Sequence, residues 1–162
     1  QPAVPKNDSP RLYSFENFTM LGNPSFIELE GVKILMYHGQ GLDDIIATIP
    51  GLSYSNPAEA MKILLKARHL SPIYGQRTPI APELEDMMVI NEVPDVFHSG
   101  HVHVMDVQNY RGTLIINSGT WQDQTPFQQT MGIMPTSGIA ILVNLATLRP
   151  FQINFNQEYG SM

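Results

Sequence analysis

No cysteine occurs in the 162 residues. That excludes disulfides, and any metal held here must be bound through nitrogen and oxygen donors rather than thiolates. The absence also suits the reducing cytoplasm, where we expect the protein to act. No apolar run approaches the roughly 20 residues that a membrane helix needs, and the opening QPAVPKNDSPR is polar and proline-rich, unlike a signal peptide. A membrane is therefore not an expected partner. Basic residues are scarce: nine Lys and Arg against 15 Asp and Glu give a formal net charge of −6. On electrostatics alone that argues against a general nucleic-acid binder. Neither an internal repeat nor a low-complexity tract is present.

What remains reads as a globular chain, 43% hydrophobic and 15% charged, of single-domain length with enough residues to bury a core. Three of its five histidines fall within FHSGHVHVM, Phe97 to Met105. In an extended segment side chains alternate faces, so His101 and His103 point one way and His98 the other. Gly100 permits a sharp turn just before the pair. Two imidazoles on one face can ligate one metal or two adjacent ones, or can simply line a polar strand, and the spacing alone leaves both open. One stretch runs against the acidic average. KILLKARHLSPIYGQR carries Lys62, Lys66, Arg68, His69 and Arg77 with no acid, as either a solvated helix face or a set of phosphate contacts. His69 in particular could complement a helix dipole or touch DNA phosphate.

The chain opens with a loop. Strands are then expected at Phe18–Leu21, Phe26–Glu30 and Lys33–His38, with Glu30-Gly31 as a tight turn. GLDDIIATIP reads as a short helix with Asp43 and Asp44 in its first turn, as helix-start residues rather than ligands. A second helix begins with Asn56 as N-cap, Pro57 at N1 and Glu59 at N3, with Met61, Leu64 and Leu65 as its apolar stripe; Ser71-Pro72 stops it. Met87–Ile90 finishes a helix or a strand. A strand-rich half follows: Val96–Ser99, Val104–Tyr110, a turn at Arg111-Gly112, Thr113–Asn117, Gly138–Asn144 and Phe151–Phe155. Between them lies SGTWQDQTPFQQTMGIMPTSG, a long aperiodic loop of the kind that is usually functional. Trp121 and Phe127 within it are expected to pack in the interior rather than to stack on a base or a partner.

Three strand ends carry a resemblance. ILMYHG ends in His38-Gly39, DVFHSGHVH in a G-H-x-H, and TLIINSGTW in Asn117-Ser118-Gly119. This succession resembles the C-terminal half of the calcineurin-like metallophosphoesterases. More narrowly, GNPSFIELEGVKILMYHGQGLDDII, LLKARHLSPIYGQRTPIAPE and VPDVFHSGHVHVMDVQNYRGTLIINSGTWQDQTPFQ are similar to the small-subunit family of archaeal D-family DNA polymerases. The similarity runs from about Phe18 to Thr147, and R-H-L-x-P-I-Y-G and G-T-W-Q-x-Q-T are its most specific segments. The resemblance implies an α/β fold, a metallophosphoesterase-like α-β-β-α sandwich whose C-terminal half has a strand-rich second part. It implies two divalent metal ions, preferring Mn2+ with Mg2+ as the alternative, and 3′–5′ exonuclease action on single-stranded DNA 3′ ends. It also implies pairing with a large polymerase subunit. His38 and His101 would then bind one metal and His103 the other, with Asn117 a turn residue near the site and His98 structural.

The D-x-H, G-D-x-x-D and G-N-H-D motifs of such enzymes are missing. The resemblance therefore implies that residues 1–17 are a loop following an upstream half-domain, that residues 18–156 are the C-terminal part of the phosphoesterase domain and that 157–162 are a tail. Three imidazoles without a bridging carboxylate supply ligands but not catalysis. Two other functions stay in view. One is a non-catalytic scaffold subunit of a polymerase, against which the retention of His38, His101 and His103 argues. The other is a phosphomonoesterase of the same fold, which would lack R-H-L-x-P-I-Y-G.

Overall fold

The computed structural model describes residues 2–156; the expected tail at 157–162 lies outside the described residues. Five strands form a mixed sheet in the order β1-β2-β3-β5-β4: β1 is Ser25–Leu29, β2 Val32–Tyr37, β3 Val96–Ser99, β4 Met105–Tyr110 and β5 Thr113–Ser118. The three central strands β2, β3 and β5 run parallel, while β1 and β4 are antiparallel edges. Both edges are added by two-residue hairpins, Glu30-Gly31 and Arg111-Gly112, in which all four residues have positive φ. That is the primed turn whose twist matches flanking strands, and both turns fall where the sequence puts them. No strand forms at 18–21. β1 takes β2 as its partner through the tight hairpin, and the upstream segment pairs with no strand among the described residues.

Between β2 and β3 the chain crosses over through α1 (Gly41–Thr48) and α2 (Pro57–Ala67), as parallel neighbours require. Pairing register sets the layers. Leu35, Phe97 and Ile115 stand in one row across β2, β3 and β5 and join Leu42, Ile45, Met61 and Leu64 of the helices in the main core. Val96, Leu114 and Ile116 face the other way. They are covered there by Ile141 and Val143 of β6 (Ile139–Asn144), which pairs with β7 (Arg149–Asn154) as a separate two-stranded sheet. Helices, mixed sheet and small sheet make three layers, an α/β fold with strands concentrated in the second half.

Two local readings are corrected. Asn56 precedes α2 but makes no side-chain cap; instead the Asp106 carboxylate of β4 accepts from Ala58 N at 3.0 Å, so the orphan N–H is satisfied from across the sheet. Met87–Ile90 is neither helix nor strand; one isolated bridge, Val89 to His69, and backbone hydrogen bonds from Leu70 N to Met88 O and from Ile90 N to Arg68 O hold it against the end of α2. The long loop also holds a helix the sequence reading passes over, α3 (Pro126–Met131). A full capping box closes its start: Thr125 Oγ1 accepts from Gln128 N, and Gln128 Oε1 accepts from Thr125 N.

Candidate metal centre

The ends of the adjacent parallel strands β2 and β3 deliver the site. His38 follows β2 directly. Its N–H donates to Asn23 Oδ1 at 2.7 Å, and its carbonyl accepts from Gly100 N at 3.1 Å. Gly39 then allows the two strand-end loops to touch: its φ is 110°, and a Cβ there would lie 2.8 Å from the Gly100 carbonyl oxygen and 3.1 Å from His101 Cβ.

The histidine pair is not presented as alternation predicts. β3 stops at Ser99, and His101 and His103 both adopt left-handed backbone, with φ of 67° and 64°. Gly100 has no positive φ; the turn is made by the histidines themselves. Such conformations cost a residue with a Cβ about 1–2 kcal/mol and persist where the surroundings over-determine them. Here they do, since Asn117 Nδ2 donates to Val104 O at 2.6 Å and Thr136 N donates to His103 O at 2.8 Å. Asn117 is thus not a turn residue. It is fully buried in β5, and its Oδ1 accepts from Ser99 Oγ at 2.9 Å, tying the end of β3 to the histidine loop.

The result is a chain of side chains. His38 Nε2 lies 3.1 Å from His101 Nδ1, and His101 Nε2 lies 2.9 Å from Asp43 Oδ2. Asp43 is in the first turn of α1, as expected, but it also belongs to the site, which sequence reasoning missed. The signal was available: an acid one turn into the helix that follows strand–His–Gly stands beside the strand end it came from. Asp44, its neighbour, is buried and accepts from the backbone N–H groups of Arg77 and Thr78, both at 3.0 Å, which draws that segment against α1. Burial alone would raise the Asp43 carboxyl, but the His101 hydrogen bond and charge outweigh it, helped by Tyr54 and Arg77, and hold it below its ordinary value. His38 is lowered by burial and then by the nearby charges of His101 and His103, and His103 by burial and His101. Neutral imidazoles are the ligand form.

His103 Nδ1 is buried with no hydrogen-bond partner. His103 and His101 open on a cleft of about 150 Å³ closed by Asp43, Tyr54, Gln128 and Phe127. A separation near 3 Å between two ring nitrogens is also that of neighbouring ligands on one ion, given metal–nitrogen bonds of roughly 2.0–2.1 Å. His38 and His101 therefore fit a shared ion as a pair, and the orphaned His103 nitrogen is a further donor. Among the described residues, no group of three or more His, Asp or Glu side chains is arranged to hold an ion.

The other candidates lie elsewhere. His98 points to the opposite face, partly buried, and burial lowers it. Lys62 pairs with Glu59 at 2.7 Å. Arg68 closes α2 by donating to the carbonyls of Ile90 and Asn91. His69 uses both ring nitrogens, on Asp86 Oδ2 at 2.9 Å and Ser71 N at 3.0 Å. Lys66 is exposed, and the Arg77 charge reaches Asp43. Trp121 and Phe127 are 70% and 59% exposed rather than buried: Phe127 stands on an outward side of α3, and Trp121, in the loop after β5, rests against Phe155.

Comparison with known proteins decides the family. The model of the DNA polymerase alpha/epsilon B-subunit family matches residues 1–104. The chain belongs to that family. Two curated relatives to which this B-subunit family member is similar are each named DNA polymerase II small subunit. The protein from Archaeoglobus fulgidus is 51% identical over 135 residues, covering 83% of this chain and 27% of its own length. That from Methanothermobacter thermautotrophicus is 46% identical over 149 residues, 92% of this chain and 31% of its own. The chain thus spans between a quarter and a third of these relatives. A solved structure of Vps29 complexed with Zn2+ from Entamoeba histolytica overlays with a TM-score of 0.42 at 16% identity, over 84% of this chain and 62% of that one, too loosely to carry an argument. No helix of the described residues is long and apolar enough to cross a membrane.

Proposed function

We propose that this chain is the histidine-bearing part of the small subunit of an archaeal replicative DNA polymerase, with a metallophosphoesterase-type 3′–5′ exonuclease centre. The observation that carries the reading is the facing pair His38 Nε2 and His101 Nδ1, 3.1 Å apart at the ends of two parallel strands. Their partner is an unpaired His103 nitrogen in the next turn. The ions would be divalent, Mn2+ or Mg2+, and would supply an activated water and charge neutralisation at the phosphodiester. This chain contributes His38 and His101 to one ion and His103 to the other, and the remaining donors come from the rest of a protein of the relatives' length. The substrate is a single-stranded DNA 3′ end and the partner a large polymerase subunit. Of the basic segment we retain Lys66 as a phosphate contact, because Lys62, Arg68 and His69 already have partners within the protein and Arg77 is engaged by Tyr54 and Asp43.

One observation favours a second reading, a non-catalytic scaffold: the described residues hold no ready group of three metal donors. A single experiment separates the two. In the full-length protein, His101→Ala and His103→Ala should each strongly reduce exonuclease rate across a manganese titration, while polymerisation by the assembled enzyme persists. His98→Ala, on the opposite face, should leave the manganese dependence as it is. A wild-type protein without manganese-dependent exonuclease activity would establish the scaffold instead, and activity unchanged in both site variants would put the nuclease centre elsewhere.

A further inference from the structure

The Asp43 contact has a consequence for which nitrogen of His101 is available. A carboxylate only accepts hydrogen bonds, so Asp43 Oδ2 at 2.9 Å from Nε2 requires the proton of His101 to sit on Nε2. The lone pair of the neutral ring is then on Nδ1, the nitrogen that faces His38. With the opposite tautomer two lone pairs would meet at Asp43 and an N–H would block the gap to His38. Resting on the metal-centre reading above, we infer that Asp43 is a positioning residue, which fixes His101 as the Nε2–H tautomer and so aims its Nδ1 lone pair at the ion shared with His38. A carboxylate behind a ligating imidazole is how ring orientation and basicity are set at metal sites.

The surroundings hold Asp43 to this task. It sits in the first turn of α1, where backbone geometry fixes its Cβ direction. Its neighbour Asp44 is clamped by two backbone N–H groups, so the turn cannot rotate away. The same pairing recurs in Asp86 with His69, also at 2.9 Å, but there the second ring nitrogen is taken by Ser71 N. That pair therefore offers no open lone pair and serves as the control.

The test reads the tautomer directly. Long-range 1H–15N spectra of histidine-labelled full-length protein, with His101 assigned by its loss in His101→Ala, should show Nε2–H in the metal-free wild type. Asp43→Ala should lose that preference and weaken Zn2+ binding, used as a diamagnetic probe, by roughly 10–100-fold. Asp43→Asn, which keeps an acceptor of similar shape, should fall between the two, and Asp86→Ala should bind as the wild type does. An Nδ1–H tautomer in the wild type overturns the inference. So does weakened binding in Asp43→Ala with the tautomer unchanged, which would make Asp43 a ligand, or an equal loss in Asp86→Ala, which would make the effect general destabilisation. If the wild type binds no metal, the functional reading itself fails and this inference with it. If it binds and Asp43→Ala binds equally well, the inference alone falls.

Discussion

At the scale of single residues the site is held at a cost. His101 and His103 occupy left-handed backbone that glycine would adopt freely, and His103 Nδ1 is buried without a partner. Replacing His103 by glycine removes a strain of about 1–2 kcal/mol and an unsatisfied donor or acceptor worth about 1–3 kcal/mol. Against this stand the greater freedom of an unfolded glycine, roughly 0.5–1 kcal/mol, and the lost contacts of the ring. His103→Gly should therefore raise metal-free stability by about 1 kcal/mol, read as a higher denaturant midpoint with unchanged slope. It should also reduce any metal-induced rise in melting temperature without abolishing the part due to the His38–His101 ion. A destabilised variant would mean that the imidazole is there for packing. The histidines themselves were legible, because their clustering and the strand–His–Gly pattern are written in the sequence. Their geometry was not. Period-two alternation presumes an extended chain, and nothing local announces that His101 and His103, rather than Gly100, make the turn. Asp43 was read correctly as a helix-start residue, but its contact with His101 was not legible, for a related reason. A carboxylate in a first helical turn is explained by the dipole alone, so its long-range partner at His101 leaves no trace in local pattern.

At the scale of elements, the hairpins and helices were readable wherever local chemistry decides them, and the caps show where it does not. Glu30-Gly31 and Arg111-Gly112 specify their turns by residue type. T-P-F-Q equally specifies the start of α3, but six residues are too few to show helical period, so a capping signal stood inside a segment that looked aperiodic. At α2 the reverse holds: Asn56 has the residue type of an N-cap, yet its side chain makes no cap bond, because Asp106 reaches the N-terminus first from β4. The two sites make opposite predictions. Asp106→Ala should cost about 1 kcal/mol, within the 0.5–2 kcal/mol of a lost cap, whereas Asn56→Ala should stay within about 0.5 kcal/mol of the parent, as surface changes do. Chemical denaturation of both variants checks this, and an Asn56→Ala loss matching that of Asp106→Ala would restore the cap that the sequence suggests. Asp106 also stands in register with Asn117, which pairs with Ser99, itself paired with Tyr37. One polar row thus crosses four strands beneath the histidine turn, and cap, sheet end and site are positioned together.

At the scale of the whole molecule, the apolar surface is divided unequally. The helix side of the sheet is closed by α1 and α2, but among the described residues the outer face of the small sheet is exposed. Leu142 and Phe151, directly paired across β6 and β7, are 54% and 56% exposed, and Phe155 and Trp121 beside them are 58% and 70% exposed, with their rings 5.5 Å apart. Two pairs of exposed large apolar side chains on and beside this sheet exceed the scattered exposure that ordinary surfaces show, and roughly half of the 1.5–3 kcal/mol for fully burying such a side chain is still to be gained at each. The chain alone should therefore self-associate through this face. Trp121 is the only tryptophan in the sequence, so its fluorescence reports on the patch: emission should shift to the blue as concentration rises, in step with earlier elution in gel filtration. Leu142→Lys and Phe151→Lys place charge on the face without touching the main core, so they should reduce association and hold Trp121 emission at its solvent-exposed position. A wild-type chain that elutes as a monomer of 18.1 kDa, melts cooperatively and keeps solvent-like emission at every concentration would show that the patch does not drive assembly. Association that survives both lysine substitutions would instead locate it on another surface, such as the open edge of β1, where Phe26 and Leu29 are also exposed.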